Sequence, residues 1–195
     1  AVISSIARVF LNSDYRVIGI QKGYKGLVSD EPQIDEIDFK YADRIHNTGG
    51  STLQMSRYKP QDSEFSTSFF IDNNIKLLVS IGGDDTATTS DRLFHFLTAN
   101  DVKIQTIHVP KTIDNDLPLP EGVPTFGYQS AKEEGVKIAT TIYEDARTSG
   151  NWFVICAMGR EAGHLALGVG SAVRFPMIII PEMFNNTTIT IEKII

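Results

Sequence analysis

A glycine pair followed by two carboxylates, Gly82-Gly83-Asp84-Asp85-Thr86, is the first stretch of this sequence equipped for chemistry. Glycines let a backbone come close to an anion, and a helix starting just after them offers free N–H groups. Two acids there would repel a bare phosphate. They suit one that arrives with a divalent cation, since magnesium takes one or two carboxylates together with phosphate oxygens and water. The same acids also suit a helix N-cap, so this stretch alone does not decide. A second stretch, Lys111-Thr112-Ile113-Asp114-Asn115-Asp116, sets carboxylates on both sides of an asparagine. One can act as a general base while the other orients it or helps hold a metal, and Lys111 adds a point charge for a phosphate. A solvated Asx-turn before Pro118 is the plainer alternative. Arg160, in Met158-Gly159-Arg160-Glu161, can clamp a phosphate or carboxylate through two parallel hydrogen bonds, or can sit in a surface ion pair. Glu182, after Pro181, can accept from sugar hydroxyls or simply end a strand. Taken together, a metal-binding acid, cationic clamps and a positioned base are the parts of phosphoryl transfer to a hydroxyl.

Something must bring these stretches together. Residues 76–81 form an apolar run that reads as a strand, and the glycine pair follows it at once. Residues 104–109 read as another strand, ended by Pro110 and followed by a polar loop over 111–125. Residues 151–157 and 177–180 read as two more strands. Helical spacing predicts helices over 2–11, 65–73, 87–97, 128–148 and 161–169, with Leu93 and Leu97 facing inward on one and Ala131, Val136, Ala139, Ile142 and Ala146 on another. A short strand over 15–20 leads into the loop Gly23-Tyr24-Lys25-Gly26. Residues 27–62 are mixed and polar, and Asn185-Asn186-Thr187-Thr188 reads as a connection near a domain boundary. Alternating strands and helices predict a parallel α/β sheet with helices on its faces. Each of the four polar stretches then falls beyond the carboxyl end of a strand, where open parallel sheets bind ligands.

The bulk properties agree with a globular enzyme. The chain has 195 residues, a formal net charge of −6, 42% hydrophobic and 22% charged residues, and a single cysteine. That length can bury a proper core in one large domain or a little more. The composition excludes a disordered or collagen-like chain, and the acidic balance argues against nucleic acid as a partner. One cysteine excludes a disulfide framework and a cysteine zinc site, and Cys156, between Ile155 and Ala157, reads as a buried small hydrophobe. No run is long enough to span a membrane, so a cytoplasmic setting is expected. His164 reads as a packed histidine, and His46, His95 and His108 lack metal-ligand spacing. The chain opens without Met and closes on an apolar pair, which reads as a piece truncated at both ends.

In order and spacing, Gly82-Gly83-Asp84-Asp85, Pro110 to Asp116, Met158-Gly159-Arg160 and Ile180-Pro181-Glu182 resemble the phosphofructokinase family, and within it the diphosphate-dependent members. Gly23-Tyr24-Lys25-Gly26-Leu27, Gly49-Gly50-Ser51-Thr52 and Ser56-Arg57 resemble that family's upstream loops, so the likeness covers nearly the whole chain. The resemblance implies a Rossmann-like, three-layer α/β/α fold. It implies a donor domain over 1–150, without its first phosphate loop, and the start of a sugar-phosphate domain over 151–195. It further implies transfer of a phosphoryl group to the 1-hydroxyl of fructose 6-phosphate with Mg2+, in a homodimer or homotetramer. Carried over by motif, Asp114 is the base and Asp84 the magnesium ligand. Thr112, Ile113 and Asp116 line the reacting end, Arg57 contacts phosphate, and Met158, Gly159, Arg160 and Glu182 contact the sugar phosphate. Family members that use ATP carry glycine where Asp85 and Lys111 stand, so those two imply diphosphate as donor. Asp85 adds bulk and negative charge where a nucleotide would pass, and Lys111 stabilises the transferring group or the leaving phosphate. The alternatives are an ATP-dependent enzyme and a non-catalytic regulatory relative. The latter would have lost the base or the metal acid, and this sequence retains both.

Overall fold

The structure is a computed structural model that describes residues 1–184, 187–188 and 190–194. Asn185 and Asn186, in the expected connection, lie outside the described residues. The chain divides into two units. One comprises residues 1–79 and 88–107, the other residues 80–87 and 108–195.

The first unit opens with α1 (Val2–Leu11), whose apolar positions recur at helical spacing. Strand β1 (Ile18–Ile20) pairs antiparallel with β2 (Ile34–Glu36), with Gly19 opposite Asp35. Between them lies the single turn α2 (Tyr24–Leu27). Helix α3 (Phe39–Ile45) starts where the Asp38 carboxylate accepts the Tyr41 backbone N–H at 2.6 Å, which satisfies one of the orphan donors of the first turn. α1 packs on α3 around Ala7, Ile37 and Ala42, and Arg8 reaches Asp43 across the outer edge at 2.8 Å. A second cluster gathers Leu27, Phe65, Phe70 from α4 (Ser68–Asp72), and Leu93, Leu97 and Ile104. Leu97 has no exposed surface, so truncating it to alanine costs about 2–5 kcal/mol.

The central sheet runs in the order β3 (Leu77–Gly82), β4 (Gln105–Thr112), β5 (Phe126–Gly127). β5 lies parallel to β4, with Lys111 opposite Phe126 and Thr112 opposite Gly127. β4 therefore continues past Pro110, where a strand end was expected. A proline there lacks a ladder donor, and the pairing with β5 begins only at Lys111, so no β5 acceptor is left waiting at Pro110. Helix α5 (Asp84–Ala99) follows β3 and begins three residues earlier than the hydrophobic spacing alone indicates, because its first turn is polar.

In the second unit, α6 (Tyr128–Ser149) is bounded by left-handed glycines, Gly127 at its start and Gly150 at its end. Its expected inward residue Ala139 is buried against Leu165 and Val169 of α7 (His164–Val173). A last turn, α8, spans Ile191–Ile194.

Three expectations are corrected here. Residues 151–157 and 177–180 form no ladder. A buried apolar run marks a strand only when a neighbouring strand supplies hydrogen bonds, and among the described residues none does. Trp152 and Val154 are each 98% exposed. Cys156 shares that open segment and is exposed, not buried. His164 is exposed as well, because it opens α7 instead of packing within a helix. Among the described residues, no helix is long and apolar enough to cross a membrane.

Candidate active site

Strand ends position two of the four polar stretches. β3 delivers Gly82 and Gly83, and the Gly83 carbonyl accepts from the N–H groups of Thr86 and Ala87 to start α5. Thr86 folds back over Gly82 so closely that a Cβ there would lie 2.4 Å from the Thr86 hydroxyl oxygen, which demands glycine. Asp84 and Asp85 are both exposed and stand in the first turn of α5, where negative charge is favourable toward the helix dipole. Gly83 also approaches the second stretch, since a Cβ built on it would sit 3.9 Å from the Lys111 carbonyl oxygen.

β4 delivers that second stretch. Lys111 and Asp116 are exposed, whereas Asp114 is buried, with 7% of its surface open. The Asp114 backbone N–H donates to the Thr112 hydroxyl at 3.1 Å. Its Oδ1 is buried with no hydrogen-bond partner among the described residues, an expensive state for a carboxylate oxygen. Its Oδ2 lies 3.8 Å from Arg160 Nε. Asn115 and Arg160 both hold left-handed backbones, with φ of 56° and 54°. Such conformations are costly for residues other than glycine and gather at sites where the surrounding structure enforces them.

Gly159 is buried, while Met158 beside it is exposed. The Gly163 backbone N–H donates to Glu182 Oε1 at 2.8 Å. That bond, with help from the residue's own backbone N–H, holds the Glu182 carboxyl below the usual carboxylate range. Gly163 lies tight against this partner, for a Cβ there would meet Ile180 Cβ at 2.3 Å and Glu182 Oε2 at 2.6 Å.

Every candidate residue except Arg57 thus belongs to the second unit, and Arg57 is an exposed residue of the first. The structure brings Asp114 to Arg160, Glu182 to Gly163, and Gly83 to Lys111. Thr125 escaped the sequence reading. It is 3% exposed and bonds to both Thr112 and Asn115. It stood at the far end of a loop, and no spacing rule links it to Asp114. His108, noted in the sequence only for lacking metal-ligand spacing, also contacts this unit's strand residue Ser80. Its Nδ1 lies 2.9 Å from the Ser80 hydroxyl, and burial pushes its pKa down.

Among the described residues, no group of three or more histidine, cysteine or acidic side chains converges to hold a metal unaided. Asp84 fits a different arrangement. It is one of two adjacent exposed carboxylates beside a glycine pair, and magnesium takes one or two such carboxylates together with phosphate and water oxygens.

Comparison with known proteins places the chain in a family. The Phosphofructokinase family profile matches residues 1–195. A "Pyrophosphate--fructose 6-phosphate 1-phosphotransferase" of Thermotoga maritima is 41% identical over 199 aligned residues, covering 100% of this chain and 46% of the relative. A protein of the same description from Naegleria fowleri is 40% identical, covering 98% of this chain and 44% of its own. An "ATP-dependent 6-phosphofructokinase" of Entamoeba histolytica is 33% identical over 85% of this chain and 39% of its own. The chain therefore spans less than half the length of these relatives. Among solved structures, phosphofructokinase from Saccharomyces cerevisiae superposes with a TM-score of 0.74 over 87% of this chain and 25% of that one, at 21% identity. A pyrophosphate-dependent phosphofructokinase from Marinobacter aquaeolei gives 0.71 over 86% and 43%, at 22% identity. These two show the shared α/β fold alone. With the profile matched from the first residue to the last and relatives near 40% identity along its length, the chain belongs to the phosphofructokinase family.

Proposed function

We propose that this chain is part of an enzyme that moves a phosphoryl group from inorganic diphosphate to the 1-hydroxyl of fructose 6-phosphate, giving fructose 1,6-bisphosphate and phosphate. The observation that carries the reading is the buried Asp114 Oδ1, without a partner among the described residues, three residues after Lys111, whose carbonyl Gly83 approaches. A general base must have an oxygen that is not already committed to another hydrogen bond, and Asp114 Oδ1 meets that condition among the described residues.

In this reading the sugar hydroxyl oxygen attacks the nearer phosphorus of diphosphate. The bridging P–O bond breaks, inorganic phosphate leaves, and the hydroxyl proton passes to Asp114. Thr112, Ile113 and Asp116 line the reacting end. Met158, Gly159, Arg160 and Glu182 hold the sugar phosphate, Glu182 as an acceptor for hydroxyls, and Arg57 contacts a phosphate. Asp84 would hold Mg2+, which when bound offsets charge on the diphosphate oxygens. Lys111 supplies fixed positive charge for the leaving phosphate. Asp85 excludes a nucleotide by bulk and charge. Because the diphosphate bond and the sugar phosphate ester are closer in energy than a nucleotide donor would make them, the reaction runs either way. Residues 1–150 serve the donor and 151–195 begin the acceptor domain, within a cytoplasmic homodimer or homotetramer.

A second reading, ATP as donor, draws on the ATP-dependent relatives at 33% identity. Asp85 and Lys111 favour the first. The test is fructose 6-phosphate phosphorylation with magnesium, run with diphosphate and with ATP on the full-length natural chain and on its Asp114→Ser variant. Turnover with diphosphate, lost by orders of magnitude in the variant while substrates still bind, supports the reading. Turnover with ATP alone overturns the donor assignment, and an active Asp114→Ser variant removes Asp114 from the base role.

A further inference from the structure

The Asp114 side chain is gripped by little of its own. One carboxylate oxygen has no partner among the described residues and the other stands 3.8 Å from Arg160 Nε. At that distance, with the Arg160 side chain 66% exposed, the ion pair is too weak to fix a carboxylate within a few tenths of an ångström. Its aim must come from the backbone that carries it.

One residue bonds to the chain on both sides of Asp114, to a backbone carbonyl before it and to a side-chain oxygen after it. The Thr125 hydroxyl donates to the Thr112 carbonyl at 2.8 Å, two residues before Asp114. The Thr125 backbone N–H donates to Asn115 Oδ1 at 2.9 Å, one residue after it. Asn115 Oδ1 also lies 3.4 Å from the Thr125 hydroxyl. Asn115 adopts its left-handed φ of 56° while making this bond, and asparagine tolerates that region better than most residues. Pairing of Thr112 with Gly127 brings β5, and Thr125 just ahead of it, alongside the loop. Thr125 is 3% exposed, so solvent does not compete for these bonds.

We propose that Thr125 is a positioning residue for the reaction: by clasping Thr112 and Asn115 it fixes the backbone on either side of Asp114 and so aims the Asp114 carboxylate at the acceptor hydroxyl. The proposal rests on the reading of Asp114 as the base. It differs from a general packing role because it acts through Asp114 alone.

The test is steady-state kinetics of the full-length natural chain with fructose 6-phosphate, diphosphate and magnesium. Thr125→Val keeps the shape and the backbone N–H but deletes the hydroxyl. Its kcat falls about 10- to 100-fold, the scale expected of a misplaced catalytic group, with KM within about threefold. Thr125→Ser, which restores a hydroxyl, recovers kcat to within about threefold of the parent. Asn115→Gly keeps the left-handed backbone accessible and deletes the acceptor, so it repeats the kcat loss and covers the case in which Thr125→Val does not fold. The deciding measurement is the double variant. Added to Asp114→Ser, Thr125→Val leaves the residual rate unchanged, because no base remains to be aimed. A further loss of the same factor there makes Thr125 merely structural and overturns the proposal. So does a kcat for both Thr125→Val and Asn115→Gly within twofold of the parent. If Asp114→Ser itself keeps the parent rate, the base reading fails; if Asp114→Ser is crippled and the Thr125 and Asn115 variants are not, only the clasp fails.

Discussion

Arg160 Nε stands 3.8 Å from Asp114 Oδ2, joining a largely exposed guanidinium to a carboxylate whose side chain is 10% exposed. The two reach each other from residues of opposite character. Asp114 sits in the buried part of its loop, and Arg160 projects from a left-handed turn just after buried Gly159. An arginine held this loosely keeps donors free for an incoming anion, since its fork carries five N–H groups.

Replacing Arg160 with asparagine tests that use while respecting the backbone, because asparagine accepts a positive φ. Loss of a charge-assisted clamp costs about 1.5–3 kcal/mol. That is roughly a tenfold or greater rise in the KM for fructose 6-phosphate, with a smaller change in kcat. An unaltered KM in Arg160→Asn would take Arg160 out of the phosphate site.

In the proposed function the donor preference divides between two side chains. Asp85→Gly removes bulk and charge from the first turn of α5, so ATP becomes a usable donor. Lys111→Gly removes a fixed cation, and diphosphate-dependent kcat drops about 100-fold or more, as it does when a preorganised electrostatic donor is lost. Parallel assays with the two donors check both. Continued exclusion of ATP by Asp85→Gly would show that the gate lies elsewhere.

His108 makes stability depend on pH. Burial lowers its pKa below the ordinary 6.5. Below that value the unfolded chain takes up a proton that the folded chain refuses, so folding pays a penalty that grows as acidity rises. Stability is therefore complete above pH 6.5 and falls as the pH drops through 6.5 toward the folded value. Denaturant unfolding between pH 7.5 and 5, values set by that window, should show a steeper acid loss in the parent than in His108→Gln. Parallel curves would mean that burial does not keep the ring neutral.

Gly163→Ala places a methyl group against Ile180 Cβ, an atom fixed to the backbone, and against Glu182 Oε2. Overpacking of this kind costs about 1–3 kcal/mol. It also pushes Glu182 off the Gly163 N–H that anchors it, so the thermal midpoint falls and the KM for the sugar phosphate rises together. A lowered midpoint with KM intact would separate Glu182 from sugar binding.

The elements legible from residue pattern alone were those whose burial is decided locally. α1 and α6 announce themselves through apolar spacing, and their observed limits match that spacing closely. β3 does so through an unbroken apolar run that stops at a glycine pair. β2 and α3 did not, because residues 27–62 lack a strong period and are organised by partners: the β1 ladder for one, the Asp38 cap and the α1 surface for the other. Residues 151–157 erred the opposite way, since their apolar content says strand and a strand still needs a neighbour. In the candidate site, Asp84, Asp85, Lys111, Asp114 and Asp116 were singled out by residue type and by their place at or just after a strand, whereas Arg160 and Glu182 follow runs that form no strand. Thr125 declared nothing, since a threonine ten positions from its asparagine partner carries no spacing signal, and only the parallel pairing of β5 with β4 brings them together.

The open segment that misled the strand reading also supplies an optical label. Trp152 is the sequence's single tryptophan, and water surrounds nearly all of it. Indole emission moves to shorter wavelength when the ring leaves water, and collisional quenchers such as iodide then lose access. Whatever settles over residues 152–155, whether more of the same polypeptide or a separate subunit, thus reports its own arrival as a blue shift, with no dye attached and no competing tryptophan within this sequence to obscure it.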